Sequence, residues 1–388
     1  MPKDQLTHIS LFTGAGGLDI GLEHSGFETR LCVENNADCN ATLEANRHHF
    51  RNPEFDLIGD ITKLSPGEVL EYSGLSVGEV DLISGGPPCQ SFSTAGKRQS
   101  INDDRGILID YFLKTVDFAK PRFFVMENVR GLRSAALRHR PLNQRDNGYR
   151  PLQDDEQLGS LLKLRVLPAL NSIGYQLALG TVNALDYGAA QDRERLIFIG
   201  SRDHEFDSQG AEELRLGDLV PATHDKTASD GRLPYRVLRD VIGDLESDPG
   251  VYMKYSPARA AVYERIPSGK NWRYIRDSGE FRPGELEEYM GGAYSSTGGR
   301  VGFWRRLSYD KWSPTVTTSP VQKATGLCHP NQTRPLSVKE YARIQGFPDD
   351  WAFEGSVAAR YKQIGNAVPV QLAVAIGKAL SQTAAATI

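Results

Sequence analysis

The side chain best suited to chemistry in this 388-residue chain is a thiol. The stretch Gly85-Gly86-Pro87-Pro88-Cys89-Gln90-Ser91 follows the apolar run Val80-Asp81-Leu82-Ile83-Ser84, so it reads as a strand emptying into a rigid turn. Two glycines permit a sharp bend. Two prolines fix φ and remove amide donors, which holds Cys89 at one place on the tip. Such rigidity suits a nucleophile, although the commoner use of one cysteine in a chain like this is a small buried apolar filler. A second strand, Arg122 to Met126, ends in Glu127-Asn128-Val129, and strand ends of a parallel sheet share one edge. Glu127 is therefore expected on the crevice that Cys89 faces. Further on, Gln191-Asp192-Arg193-Glu194-Arg195 leads into the strand Leu196 to Gly200, and a period of two puts Gln191, Arg193 and Arg195 on one face.

These groups need a sheet to position them, and the chain opens with one. His8-Ile9-Ser10-Leu11-Phe12 is a short strand, Thr13-Gly14-Ala15-Gly16-Gly17 a glycine turn, and Leu18, Ile20 and Leu22 a helical apolar pattern up to Ser25-Gly26. Strand, glycine turn and helix form a nucleotide-binding opening, but the order Gly-x-Gly-Gly departs from the dinucleotide pattern. A next strand, Thr29 to Val33, ends at Glu34, where a carboxylate can accept both hydroxyls of a ribose, and a third ends at Asp60-Ile61. Two carboxylates at consecutive strand ends, with no basic partner for a diphosphate, fit an adenosyl ligand such as S-adenosylmethionine. Helix capping is the plain alternative for both. The helix Ile107 to Ala119 follows a polar loop, and the arginine-rich stretch Arg130 to Gln157 reads as a solvated insertion.

Composition bounds the rest. With 39% hydrophobic and 24% charged residues the chain is ordinary for a globular protein of two to three domains. No secretory leader pattern and no membrane-length apolar run is visible, which points to the cytoplasm without a membrane partner. Cys32, Cys39, Cys89 and Cys328 show neither disulfide nor zinc-ligand spacing. A net charge of −4 argues against a generally basic nucleic-acid binder. From Val251 to Thr325, however, 12 Lys and Arg face 7 Asp and Glu, so this stretch carries +5 and the remainder −9. It also holds Trp272, Trp304 and Trp312, and arginines including Arg273, Arg276, Arg300, Arg305 and Arg306. That mixture suits phosphate contact and base-edge readout.

Taken in order, these motifs resemble those of the DNA (cytosine-5) methyltransferases over nearly the full chain. Phe12-Thr13-Gly14-Ala15-Gly16-Gly17 is similar to the family's cofactor loop, Pro87-Pro88-Cys89-Gln90-Ser91 to its nucleophile, Glu127-Asn128-Val129 to its acid, and Gln191-x-Arg193-x-Arg195 to its arginine motif. Arg334-Pro335-Leu336-Ser337-Val338-Lys339-Glu340 through Arg343-Ile344-Gln345-Gly346-Phe347-Pro348, and Tyr361-Lys362-Gln363-Ile364-Gly365-Asn366-Ala367-Val368-Pro369, are similar to its two last motifs.

The resemblance implies an α/β fold: a Rossmann-like S-adenosylmethionine-dependent methyltransferase domain over 1–201, a smaller irregular target-recognition domain over about 202–313, and C-terminal motifs, 314–388, returning to the catalytic domain. It implies methyl transfer from S-adenosylmethionine, leaving S-adenosylhomocysteine, to carbon 5 of a cytosine flipped out of a short duplex DNA sequence through a Cys89 adduct. Glu127, Arg193 and Arg195 complete the catalytic set. Asn35, Pro88, Leu108, Asn366 and Ala367 join the cofactor loop, Glu34, Asp60 and Ile61 around the cofactor. Gln90, Ser93, Lys97, Arg98, Gln191, Arg300 and Thr317 are the implied DNA contacts. A cognate restriction endonuclease, a monomeric state and no metal complete the expectation. A tRNA cytosine-5 methyltransferase is the nearest alternative; a dehydrogenase and a non-catalytic binding module are weaker ones.

Overall fold

The computed structural model describes residues 5–88, 107–140, 144, 150–206, 214–279, 284–290, 302–322 and 325–386. Cys89, Gln90, Ser93, Lys97, Arg98 and Arg300 lie outside them.

Eight strands form one sheet: β1 (Leu6–Leu11), β2 (Phe27–Val33), β3 (Asp56–Ile58), β4 (Leu82–Gly85), β5 (Phe123–Val129), β6 (Gln176–Asn183), β7 (Glu194–Ser201) and β8 (Leu214–Arg215). Their spatial order is β3-β2-β1-β4-β5-β7-β6-β8. β1 to β5 run parallel, and β7 runs antiparallel to both β5 and β6. Parallel strands must be covered on both faces, which explains why Ile9, Leu11, Leu82, Ile83 and Phe123 to Met126 are fully buried with little alternation. The crossovers are the helices α1 (Gly17–Glu23), α2 (Ala37–Ala45), α3 (Pro66–Ser73) and α4 (Ile107–Ala119).

The C-terminal motifs close the molecule through α5 (Val338–Gln345), α6 (Val357–Asn366) and α7 (Val370–Ala386). As the resemblance implies, α7 lies back on α1. A Cβ on Gly21 would sit 2.4 Å from the Ala373 Cβ and one on Gly377 2.6 Å from the Ser25 Cβ, so glycine is needed on both helices for this approach. The run from Val357 to Ala386 is long and apolar enough to cross a membrane, yet Leu372, Ile376 and Leu380 are wholly buried in the core shared with α1.

A large core joins Ala15, Leu43 and Phe50 to α5, α6 and Trp351, and it also takes in Leu238, Ile242, Leu307 and Tyr309. A smaller one gathers Val262, Tyr263, Ile266, Trp272, Ile275, Phe303, Trp304 and Cys328. Among the described residues, the middle of the chain has a separate core around 262–304, joined by Cys328.

The stretch from Arg130 to Gln157 departs from the solvated insertion expected. Leu132 and Ala135 enter the core, and Arg140 and Arg150 both donate to the buried Glu156 carboxylate. Charge density alone does not reveal that arginines 10 residues apart share one acid.

Candidate active site

Three strand ends build the cofactor crevice. Beyond β1 the backbone enters the left-handed region at Phe12 (φ 56°), Gly14 (61°) and Gly16 (82°). Glycine takes this conformation freely, whereas Phe12 is strained in it. Glu34, at the end of β2, accepts the Gly14 amide at 2.8 Å on Oε2 and the Asn36 amide at 2.8 Å on Oε1. The acid predicted to meet a ribose therefore also ties down the glycine loop. Asp60, after β3, uses only Oδ1 to cap Thr62, accepting its amide at 3.0 Å and its hydroxyl at 2.8 Å, and these bonds hold its carboxyl below the usual range.

No described residue lies within 4 Å of where a Gly14 Cβ would be, while Gly17 is pressed against the Val368 carbonyl and Gly16 against the Trp351 ring. The loop is thus packed on one side and open on the other. Ile61 is buried, Phe12, Pro88, Leu108 and Ala367 are half-buried, and Asn35 and Asn366 are exposed. An open glycine loop, a free carboxylate oxygen and half-buried apolar side chains fit an adenosyl group and its ribose.

Beneath this loop the wholly buried Asp19 carboxyl is pushed up to about 7 by burial, partly offset by Ser10. Sequence reading missed it, because an acid in the first turn of a helix ordinarily signals nothing beyond the helix dipole.

The catalytic candidates meet where β4, β5 and β7 adjoin. A Cβ on Gly86 would lie 3.0 Å from Glu127 Oε2, so a side chain at residue 86 would crowd the Glu127 carboxyl against the turn before Cys89. Asn128 donates from Nδ2 to the Pro87 carbonyl at 3.2 Å and fixes that turn to β5. Arg195 Nε lies 2.6 Å from Glu127 Oε1, with the two side chains 11% and 12% exposed. Burial lowers the Arg195 pKa, and the Glu127 charge opposes that shift.

Arg193 and Gln191 are elsewhere. The Arg193 guanidinium is buried and donates to the carbonyls of Val316 at 3.0 Å, Gly365 at 2.7 Å and Ala367 at 3.0 Å. Burial and the neighbouring Arg195 push its pKa well down. Gln191, 0% exposed, donates to Gln345 Oε1 at 2.7 Å and accepts the Val316 amide at 2.9 Å. The expectation that Gln191 touches DNA is corrected, since its amide is spent inside. Arg193 as a base-binding group is corrected likewise, because its Nη1 and Nη2 donors already meet main-chain carbonyls. Period two put both on the same face as Arg195, but it could not say that the C-terminal motifs cover two-thirds of that face.

Gln345, quoted above only as part of a motif, completes this latch by donating to the Ile364 carbonyl at 2.6 Å. Thr317 is half-buried, donates to the Ser319 carbonyl at 3.0 Å and lines a cavity with Asp192 and Glu194. At the surface, His48, His49 and Asp350 bring ligand atoms within 4.8 Å of one another, and an ordinary His49–Asp350 contact at 3.4 Å accounts for the grouping.

The family model for C-5 cytosine-specific DNA methylases matches residues 6–382. The chain belongs to that family. The methyltransferase is 38% identical to Type II methyltransferase M.PspPI of Psychrobacter sp. over 383 residues, 98% of this chain and 80% of the relative. It is 36% identical to Type II methyltransferase M.Sau96I of Staphylococcus aureus over 378 residues, 95% and 74% of the two chains. Among solved structures it superposes on the Dnmt2 methyltransferase of S. pombe with a TM-score of 0.62 at 16% identity, covering 97% of this chain and 99% of that one, a likeness of fold. The reaction is methyl transfer from S-adenosylmethionine to carbon 5 of cytosine in DNA. Restriction-modification is the setting named by the Type II relatives, and the tRNA alternative is not favoured.

Proposed function

We propose that Cys89, Glu127 and Arg195 carry the reaction on a cytosine flipped from the duplex. The observation that carries this reading is the buried Glu127–Arg195 pair set against the Gly86-Pro87-Pro88 turn that leads into Cys89. Carbon 5 of cytosine is a poor nucleophile. Addition of the Cys89 thiolate to carbon 6 makes the ring an enamine, and Glu127 holds a proton at ring nitrogen 3 as charge builds there. Arg195 binds the ring carbonyl and keeps the base side-on to the thiol. S-adenosylmethionine supplies the methyl group, whose carbon–sulfur bond breaks as the bond to carbon 5 forms. Loss of the carbon-5 proton then expels the thiolate and restores the ring. Glu34, Asp60 and the loop from Phe12 to Gly17 hold the adenosyl ligand.

The unit around 262–304, with its own core, is the reader of a short duplex sequence; Ser93, Lys97 and Arg98 are DNA contacts, and Thr317 takes the target phosphate. The protein acts as a cytoplasmic monomer, paired with an endonuclease of the same site. Bisulfite sequencing of DNA from a host expressing the protein tests the reading. One cytosine methylated within a fixed short motif is expected, and unmodified DNA with active, folded protein overturns it.

A further inference from the structure

Arg305 and Arg306 are neighbours on one short strand, which pairs in parallel with Leu327–Cys328, and strand geometry sends them to opposite sides. Arg306 is 5% exposed and all five of its N–H groups are used. Nε donates to the Ile266 carbonyl at 2.5 Å, Nη1 to those of His329 and Gln332 at 3.2 and 3.1 Å, and Nη2 to the Tyr263 carbonyl at 2.6 Å and the Thr333 hydroxyl at 3.0 Å. It is an internal tie and is withdrawn from the DNA candidates.

Arg305 is its opposite. It is half-buried, and its guanidinium makes no hydrogen bond or ion pair with any described residue. Burial lowers its pKa, and no neighbouring charge raises it. It lines a cavity of about 380 Å³ with Asp192, Glu194, Thr315, Thr317 and Leu327. The two acids there are already engaged, Asp192 by the Asn183 amide at 2.7 Å and Glu194 by Arg130. The residue before it, Trp304, holds φ at 40°, a strained value for a bulky side chain. A half-buried guanidinium with no protein partner, held by strained backbone at the wall of a cavity, is placed to take an incoming acceptor at little cost in ordering. The cavity is also lined by Thr317, the proposed contact of the target phosphate, so an acceptor there belongs to the same stretch of duplex.

We infer that Arg305 is a DNA-contacting residue, its planar fork taking two adjacent acceptors of the duplex at the seam between the reading unit and the catalytic strand. Guanine O6/N7 and the oxygens of one phosphate both offer that geometry. The inference rests on the function proposed above.

The test uses the full chain, the Arg305→Ala and Arg305→Lys variants, and Lys378→Ala as a control for lost surface charge. Binding and methylation are measured on a duplex bearing the motif found by bisulfite sequencing and on one lacking it, at several salt concentrations. Arg305→Ala is expected to weaken binding to the motif duplex by about 5- to 150-fold and to raise KM. If the partner is a guanine edge, the loss is confined to the motif duplex, methylation relaxes at one base pair, and Arg305→Lys does not rescue. If it is a phosphate, both duplexes lose affinity alike, the salt slope falls by about one, and Arg305→Lys restores much of it. Binding and KM of Arg305→Ala within twofold of wild type on both duplexes overturn the inference. Should Arg305→Ala melt early, Arg305→Gln, which keeps the length and removes the charge, decides: a fully wild-type motif preference, KM and salt slope overturn it. Wild-type protein that methylates no DNA removes the underlying reading instead.

Discussion

Arg195 Nε stands 2.6 Å from Glu127 Oε1, although β5 and β7 bring these residues from positions 68 apart in sequence. The pair is held in place before any base arrives, since both side chains are about nine-tenths buried. A charge-assisted contact at that depth fixes the direction in which the carboxyl offers its other oxygen, and Gly86 leaves that oxygen room. Pre-positioning of this kind lowers reorganisation during the reaction.

Glu127→Gln keeps the shape but removes the carboxyl that handles the nitrogen-3 proton. It is expected to lower kcat by about 100- to 10,000-fold while the S-adenosylmethionine Kd stays within a few-fold of wild type. Single-turnover methylation and equilibrium binding check the two halves. Wild-type kcat in Glu127→Gln removes Glu127 from the chemistry.

Arg193 and Arg195 are two residues apart but should fail differently. Arg193→Leu strands the carbonyls of Val316, Gly365 and Ala367, so a loss of about 3 kcal/mol or more in stability is expected, with α6 and α7 becoming sensitive to protease. Arg195→Leu should lose turnover with a smaller change in melting temperature. Chemical denaturation beside kcat separates them, and equal stability in the two variants would refute the latch.

The contrast shows what was legible in the sequence. Strands β1, β2, β4 and β5 are apolar runs bounded by glycine, proline or a terminal acid, the pattern of buried parallel strands, so the fold class could be read ahead of the structure; that β7 enters antiparallel could not. The partners of Gln191 and Arg193 could not, because they lie more than 120 residues away at Val316, Gln345 and Gly365 and reach the strand only through tertiary packing. Arg305 and Arg306 look identical in sequence, and their roles diverge solely because one strand has two faces.

Asp19 should give the enzyme a pH-dependent penalty. Its folded pKa of about 7 exceeds the ordinary 3.8, so between those values the folded chain binds a proton that the unfolded chain does not. Stability from this group is therefore greatest below pH 4, falls as pH rises towards 7, and is level above it. Asp19→Asn is expected to be more stable than wild type at pH 8 by a few kcal/mol, with the gain vanishing near pH 4. Urea midpoints across that range check the sign; a pH-independent difference would show that Asp19 keeps its charge in the folded state.

Glu34 is the residue where loop architecture and cofactor affinity are joined. Its two oxygens accept the Gly14 and Asn36 amides, yet each has a second lone pair for a ribose hydroxyl. Glu34→Ala therefore removes the ribose acceptor and frees the glycine loop at once, and should weaken S-adenosylmethionine binding by about 1 to 3 kcal/mol. Glu34→Gln separates the two effects. Its one carbonyl oxygen can still take the Gly14 amide, while its amide nitrogen opposes the Asn36 N–H and offers a donor where an acceptor stood. If anchoring dominates, Glu34→Gln should bind the cofactor nearly as well as wild type, and the Gly14 amide should keep its protection from hydrogen exchange. If ribose recognition dominates, Glu34→Gln should approach Glu34→Ala in affinity despite an intact loop. Calorimetric Kd values and amide exchange at Gly14 distinguish these outcomes, and wild-type affinity in Glu34→Ala would leave Glu34 a structural tie between the Gly14 and Asn36 amides.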